Sequence, residues 1–260
     1  MSRWIVGDVQ GCGRTLEALL SQIGLGTDDE LWLAGDLVNR GTANARSLQV
    51  AMDLDAKVVL GNHDLYALGR ALRGRKPKRD DTLNDIVERK GPNGWVEWMR
   101  ALPLYRREGE VAMVHAGFLP EWSEEDILRR AGDVSKTLAT STEILDAWLD
   151  WRHVHDGPAF DARVLTCIRM VDAQDRLARD HKAAPEEAPP ELVPWYRRHP
   201  GISGATLFFG HWAALGHRKL GACVSLDSGA VWGRHLTAYR AEDGTTLTQL
   251  TDPRDLDRPE

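Results

Sequence analysis

The sequence predicts an α/β fold whose strands run mainly parallel, and three features carry that prediction. Short apolar runs recur along the chain, and each ends in a glycine or in a histidine or aspartate. Between the first three runs, apolar residues fall at helical spacing, so the segment reads as consecutive βα units. Short crossovers of this kind favour parallel strands, whose following turns gather at one edge, where open α/β sheets bind ligands.

Trp4-Ile5-Val6 is the first strand candidate and delivers Gly7-Asp8-Val9-Gln10-Gly11. Asp8 and Gln10 point to one side of an extended segment because the side-chain period is two. Leu16, Leu19, Leu20 and Ile23 predict a helix over 14–23. Leu31 to Ala34 repeats the strand pattern and delivers Gly35-Asp36-Leu37-Val38-Asn39-Arg40-Gly41, with a second helix over about 43–54. Lys57-Val58-Val59-Leu60 then delivers Gly61-Asn62-His63-Asp64 ahead of a helical stretch from Leu65 to Leu72. Asp64 suits the first turn of that helix, where the dipole favours negative charge.

The basic run 74–79, followed by Asp80-Asp81, reads as a solvated loop that could assist entry of an anionic substrate. A helix is expected over 87–102, broken near Gly91-Pro92 and closed by Pro103, with Trp95 and Trp98 packing. Val111 to Val114 is another apolar run and delivers His115-Ala116-Gly117. From 118 to 203 the pattern changes to helical stretches (124–131 and 134–151) and a Pro-, Glu- and Arg-rich segment over 182–200. This segment reads as a largely helical insertion or cap within a single domain spanning 1–260, because the strand pattern then resumes. Thr206 to Phe209 delivers Gly210-His211-Trp212, and Cys223 to Leu226 delivers Asp227-Ser228-Gly229. Strands over 235–240 and 245–250, around Asp243-Gly244, predict a closing hairpin, and the charged last ten residues are expected to fray.

A chain of 260 residues can bury one sizeable core. Its formal charge of -6 argues against sequence-independent binding to duplex DNA, which needs a basic face. Cys12, Cys167 and Cys223 are odd in number and far apart, so neither a disulfide framework nor a zinc knot is indicated, and a reducing cytoplasm fits. No apolar run approaches the about 20 residues of a membrane span, and no leader-like segment opens the chain. No membrane partner is expected. Ten tryptophans against four phenylalanines point to core and groove lining.

Five strand ends thus present Asp8, Asp36, Asn62-His63, His115 and His211. A lone histidine or aspartate on a turn is as readily a cap or a satisfied core group. Six such residues, each just after an apolar run, point to a metal site. Mixed oxygen and nitrogen donors suit Mn, Fe, Zn or Co better than Mg or Ca. With Gln10 the set exceeds what one tetrahedral ion requires, so two divalent metal ions bridged by Asp36 are the economical arrangement. Ions about 3.5–4 Å apart serve phosphoryl transfer. Arg40, on the Asp36 turn, is a natural phosphate fork, and His63 is left free to protonate a leaving oxygen. His153, His155, His181, His199, His217 and His235 lack this context and are expected at the surface, while Cys12 is expected to pack.

Gly7 to Gly11, Gly35 to Gly41, Gly61 to Asp64, His115-Ala116-Gly117 and Gly210-His211 together resemble the signature series of the calcineurin-like metallophosphoesterases. Gly210-His211-Trp212, Leu226 to Gly229, Trp232-Gly233, Arg169-Met170, Pro185-Glu186 and Pro194-Trp195-Tyr196 extend the resemblance to its symmetrical diadenosine tetraphosphatase branch. The resemblance implies an αββα sandwich and hydrolysis of a dinucleoside polyphosphate, diadenosine tetraphosphate giving two ADP by attack at an internal phosphate. It also implies action on dinucleoside-polyphosphate caps at RNA 5′ ends, with Mn as the leading metal and Co, Fe or Zn as alternatives. By the same resemblance Asp8, Gln10 and Asp36 would hold one ion, and Asp36, Asn62, His115 and His211 the other. His63 would be the general acid, with Arg40 and Arg169 on phosphate.

Three positions depart from the pattern. Gln10, whose carboxamide oxygen is a weaker ligand, stands where the wider family has histidine. Asn39 stands where related protein phosphatases carry an aspartate that orients the catalytic histidine, and Val171 stands where an arginine would follow Arg169. The alternative readings are a serine/threonine phosphoprotein phosphatase on the same scaffold and a catalytically silent nucleotide-binding regulator.

Overall fold

The computed structural model describes residues 2–88, 91–150, 153–178 and 181–256. The first half contains β1 (Arg3–Val6), α1 (Gly13–Ile23), β2 (Glu30–Leu33), α2 (Asn44–Asp53), β3 (Lys57–Val58) and α3 (Asn62–Arg73). Next come α4 (Asn84–Val87), α5 (Trp95–Arg100), β4 (Tyr105–Glu108) and β5 (Val111–Val114). The region from 118 to 203 holds α6 (Glu124–Thr140), α7 (Glu143–Leu149), α8 (Gly157–Cys167), β6 (Met170–Val171), β7 (Leu177–Ala178), β8 (Val193–Pro194) and α9 (Trp195–Arg198). The chain closes with β9 (Thr206–Phe209), β10 (Arg218–Leu220), β11 (Cys223–Ser225), β12 (His235–Arg240) and β13 (Thr246–Leu250).

Two five-stranded sheets, in the orders β13-β12-β1-β2-β3 and β10-β11-β9-β5-β4, form the centre. β1-β2-β3 and β5-β9-β11 are parallel, and antiparallel strands flank each set. Alternation along the strands sorts the core into layers. Ile5 and Trp32 of the first sheet share a buried cluster with Val111, Met113, Phe208 and Val224 of the second. Their neighbours Trp4, Val6, Leu31 and Leu33, and Ala112, Val114, Leu207 and Phe209, pack instead with the helices. The result is an αββα sandwich. Each fully buried side chain of this inner layer contributes about 1.5–3 kcal/mol.

Several expectations need correcting. α6 runs without a break at 132–133, because Ile127, Ala131, Val134 and Leu138 form one buried stripe, and Ser123 and Asp126 cap it reciprocally. The expected 134–151 helix divides at Ser141-Thr142 into the end of α6 and α7, with Trp151 outside the described residues. The helix over 87–102 reduces to α4 and α5, separated by Gly94 at φ 76°, with residues 89–90 outside the described set. α8 and the small sheet β7-β6-β8 were not anticipated. Nor were β4 and β10, whose charged edge sequences hide the strand.

The tail is docked as far as Leu256, and residues 257–260 lie outside the described set. Buried Asp255 accepts hydrogen bonds from Thr15 N at 2.8 Å and Thr15 Oγ1 at 2.7 Å. His199 is buried rather than at the surface. It packs on Phe118 and Trp195, and its Nε2 lies 3.0 Å from the Trp122 carbonyl. His153, His155 and His235 are exposed, while His181 and His217 are half-buried. No helix of the described residues is long and apolar enough to cross a membrane.

Candidate active site

Six parallel strands end toward one place. Asp8 follows β1, Asp36 follows β2, and Asn62-His63 open α3 after β3. His115 follows β5, His211 follows β9, and Asp227 follows β11. Close approach dictates two of the glycines: a Cβ at Gly61 would collide with the Asp36 carboxylate, and one at Gly210 with that of Asp8. The turns are strained. Gln10 (φ 47°), Asp36 (φ 49°), Asn39 (φ 79°), Arg40 (φ 73°) and His211 (φ 66°) all adopt the left-handed region without being glycine. Such conformations cost on the order of 1–3 kcal/mol each and concentrate at functional sites.

Ligand atoms of buried Asp36, His115 and His211 lie within 4.8 Å of one another. His115 Nε2 is 3.4 Å from Asp36 Oδ2 and 3.2 Å from the Asn62 carboxamide. Gln10 Nε2 donates to Asp36 Oδ2 at 3.1 Å, and the backbone N–H of His211 donates to Asp8 Oδ1 at 3.0 Å. Both imidazoles are steered by carbonyls: His115 Nδ1 is 2.7 Å from Ala34 O, and His211 Nε2 is 3.1 Å from Cys167 O. Each carbonyl fixes a proton on the nitrogen it faces, leaving His115 Nε2 and His211 Nδ1 as lone pairs for a cation.

The electrostatics ask for positive charge. Burial, then Asp227 and Asp36, raises the Asp8 carboxyl well above its usual range. Burial and Asp36 push Asp64 up to about 7, and Asp227 up to about 6. Against burial, the His115 and His63 rings hold Asp36 low, while Asp36 and Asp8 raise His115 to about 10. Burial and the Arg169 guanidinium depress His211. Buried carboxylates this crowded are unfavourable without a counter-charge, and the donors are oxygen and imidazole nitrogen, so the set fits a divalent cation.

Beside this centre lies a cavity of about 570 Å³, lined in part by Gln10, Asp36, Asn62, His63 and His211. Arg40 and Arg169 line it too. Arg40 Nη1 pairs with Asp80 Oδ2 at 2.5 Å, and Arg169 Nη2 donates to His211 O at 2.9 Å. Asp8 and His115 sit behind the wall, joined to it through His211 and Asp36. Asp64 occupies the first turn of α3, accepting from Gly61 N and Leu37 N at 2.9 Å each. Cys12 is buried, and burial pushes its thiol up, consistent with packing.

Asp227, Lys78, Lys182, Trp232 and Arg234 also line the cavity and were not singled out from sequence as site residues. Asp227 had the same signal as the others, an apolar run immediately before it. Lys78 lay in the basic run 74–79, read only as a loop that could assist substrate entry, and Lys182 had no signal, because a loop brings it in from a remote position.

Residues 1–213 match the profile of the family described as calcineurin-like phosphoesterase. A relative from Aromatoleum aromaticum, named as a symmetrical bis(5′-nucleosyl)-tetraphosphatase, is 40% identical over 94% of each chain. Another of the same name, from Methylococcus capsulatus, is 38% identical over 94% of this chain and 93% of its own. The crystal structure of a candidate diadenosine tetraphosphatase superposes with a TM-score of 0.69 at 21% identity, covering 97% of this chain and 94% of the other.

Proposed function

The chain belongs to the calcineurin-like phosphoesterase family, and on that premise we propose that it hydrolyses diadenosine tetraphosphate symmetrically to two ADP. The observation that carries this reading is the cavity itself, which joins the buried carboxylate and imidazole centre to Arg40, Lys78, Arg169, Lys182 and Arg234. Cations beside a metal-type centre suit a polyphosphate chain. The names of the relatives specify which polyphosphate.

In this reading Asp8, Gln10 and Asp36 would hold one divalent ion, and Asp36, Asn62, His115 and His211 would hold the other, with Mn the leading candidate and Co, Fe or Zn the alternatives. Bound there, the ions would supply charge against the phosphoryl oxygens and lower the pKa of the attacking water. Arg40 exchanges its pairing with Asp80 for a substrate phosphate, and Arg169, anchored on the His211 carbonyl, offers its remaining N–H groups to another. Water adds to an inner phosphorus, the central P–O–P bridge breaks with ADP as leaving group, the Nε2–H of His63 hydrogen-bonds the departing oxygen, and the water's proton passes to solvent.

The segment 118–203 acts as an insertion within one domain, contributing Trp148, Leu149, Arg169 and Lys182 to the cavity wall. RNA 5′ ends carrying a dinucleoside-polyphosphate cap present the same linkage and form a second substrate class. A cytoplasmic setting accords with three free cysteines. The test is turnover of diadenosine tetraphosphate beside a serine-phosphorylated peptide, with Mn²⁺ present. Hydrolysis of the dinucleotide is expected. Hydrolysis of the peptide alone would move the assignment to a phosphoprotein phosphatase, and inactivity toward both with every divalent ion would leave a nucleotide-binding regulator.

A further inference from the structure

We propose that Trp232 is the stacking platform for one nucleobase of the substrate, an assignment that rests on the dinucleotide reading above. Trp232 is 63% exposed, whereas Trp4, Trp32, Trp95, Trp122, Trp148, Trp195 and Trp212 are 6% exposed or less. Among the described residues its indole has no hydrogen bond and no ring partner, yet it lines the cavity. A large apolar ring left in water at the rim of a polar cavity contributes little to folding and presents a flat face to whatever the cavity binds.

The backbone that carries the ring is held firmly. Trp232 ends the 3₁₀ turn Ala230–Trp232, enclosed by Gly229 (φ 73°) and Gly233 (φ 77°). Trp232 N donates to Gly229 O at 3.0 Å, Gly229 N donates to Asp227 Oδ1 at 3.0 Å, and Thr251 Oγ1 donates to Ala230 O at 2.7 Å. The turn is therefore tied directly to Asp227 at the centre. An aromatic side chain on a fixed backbone has only two torsions to lose when a base settles on it.

The other aromatics of the cavity are not available in this way. Tyr66 and Trp148 are 6% and 4% exposed. Tyr66 donates to Asp81 Oδ2 at 2.7 Å, and Trp148 Nε1 donates to Thr166 Oγ1 at 3.3 Å. A dinucleotide with two identical ends requires only one platform, because either end can occupy it. One nucleoside is then gripped by stacking, and the other side of the substrate is held through its phosphates. Because every base has a π-face, the platform tolerates base identity.

The experiment compares wild type with Trp232→Ala and Trp232→Phe, measuring KM for diadenosine tetraphosphate and inhibition constants for ADP and inorganic tripolyphosphate. In Trp232→Ala the KM and the ADP constant are expected to rise about 5- to 100-fold, while the tripolyphosphate constant stays within about twofold. Trp232→Phe should restore most of the loss. Unchanged KM and ADP constants would overturn the proposal, as would an equal rise for tripolyphosphate, which would mark a structural role. If wild type does not cleave the dinucleotide, the functional reading fails, and the contrast between ADP and tripolyphosphate still decides whether Trp232 stacks a base.

Discussion

Asn39 Nδ2 lies 2.9 Å from His63 Nδ1, and the amide is fixed in that orientation because its Oδ1 accepts from Arg40 N at 2.9 Å and Thr82 N at 3.3 Å. The amide nitrogen therefore donates, His63 Nδ1 accepts, and the ring proton stays on Nε2. An amide thus occupies the orienting position that related protein phosphatases fill with aspartate. Burial depresses the His63 pKa, with Asp36 opposing and Arg40 adding to the depression. His63→Ala is expected to lower kcat about 10²- to 10⁴-fold with bound metal near the wild-type level. Asn39→Ala should lower kcat about tenfold by freeing the ring. Elemental analysis beside kinetics checks both, and metal loss from His63→Ala would make His63 a ligand rather than an acid.

Asp227 provides a pH signature for the metal-free protein. Its folded pKa of about 6 lies above the ordinary 3.8, raised first by burial and then by Asp36. The native state therefore holds that proton more tightly than the unfolded chain. Ionised Asp227 destabilises the fold progressively from about pH 4 to pH 6, and fully above. Asp227→Asn should gain about 1–3 kcal/mol relative to wild type as pH rises from 4 to 7. Chelator-treated proteins compared by denaturant unfolding would test this, and a pH-independent difference would contradict it.

Away from the centre, the buried guanidinium of Arg70 pairs with Asp81, which also accepts from Tyr66 Oη at 2.7 Å. Removing one partner strands the other charge. Arg70→Met should cost about 3–5 kcal/mol, and combining it with Asp81→Asn should recover part of that loss. A double-mutant cycle in denaturant measures the coupling, and additive losses would show that the pair is not one unit.

The three free cysteines should differ in reactivity. Cys12 and Cys223 are buried, and burial pushes both thiols up, Cys223 to about 11. Cys167 is half-buried and lines the cavity. Iodoacetamide under native conditions should label Cys167 first and reduce activity, as peptide mass spectrometry would reveal. Substrate should slow that labelling.

The candidate metal ligands were legible because parallel strands leave their last residues at one sheet edge, so an apolar run followed by Gly-Asp, Gly-Asn-His or His marks the site locally. Assignment of those strands to two sheets was not written locally. Ile5 and Trp4 look alike in sequence, and only tertiary packing sends one between the sheets and the other toward the helices. β4 and β10 escaped because Arg106, Arg107, Arg218 and Lys219 interrupt any apolar pattern at an edge. Asp255 looked like part of a charged tail, yet Thr15 supplies it with buried donors from 240 residues away. The reach of Lys78 and Lys182 into the cavity, and the exposure of Trp232, depend on how loops converge.

The most direct test of the central claim is to separate the nucleotides formed when the purified chain, loaded with Mn²⁺, consumes diadenosine tetraphosphate. ADP as the sole initial product is expected, at two per substrate consumed. ATP and AMP in equal amounts would contradict the account, because an outer anhydride bridge would then have been broken instead of the central one.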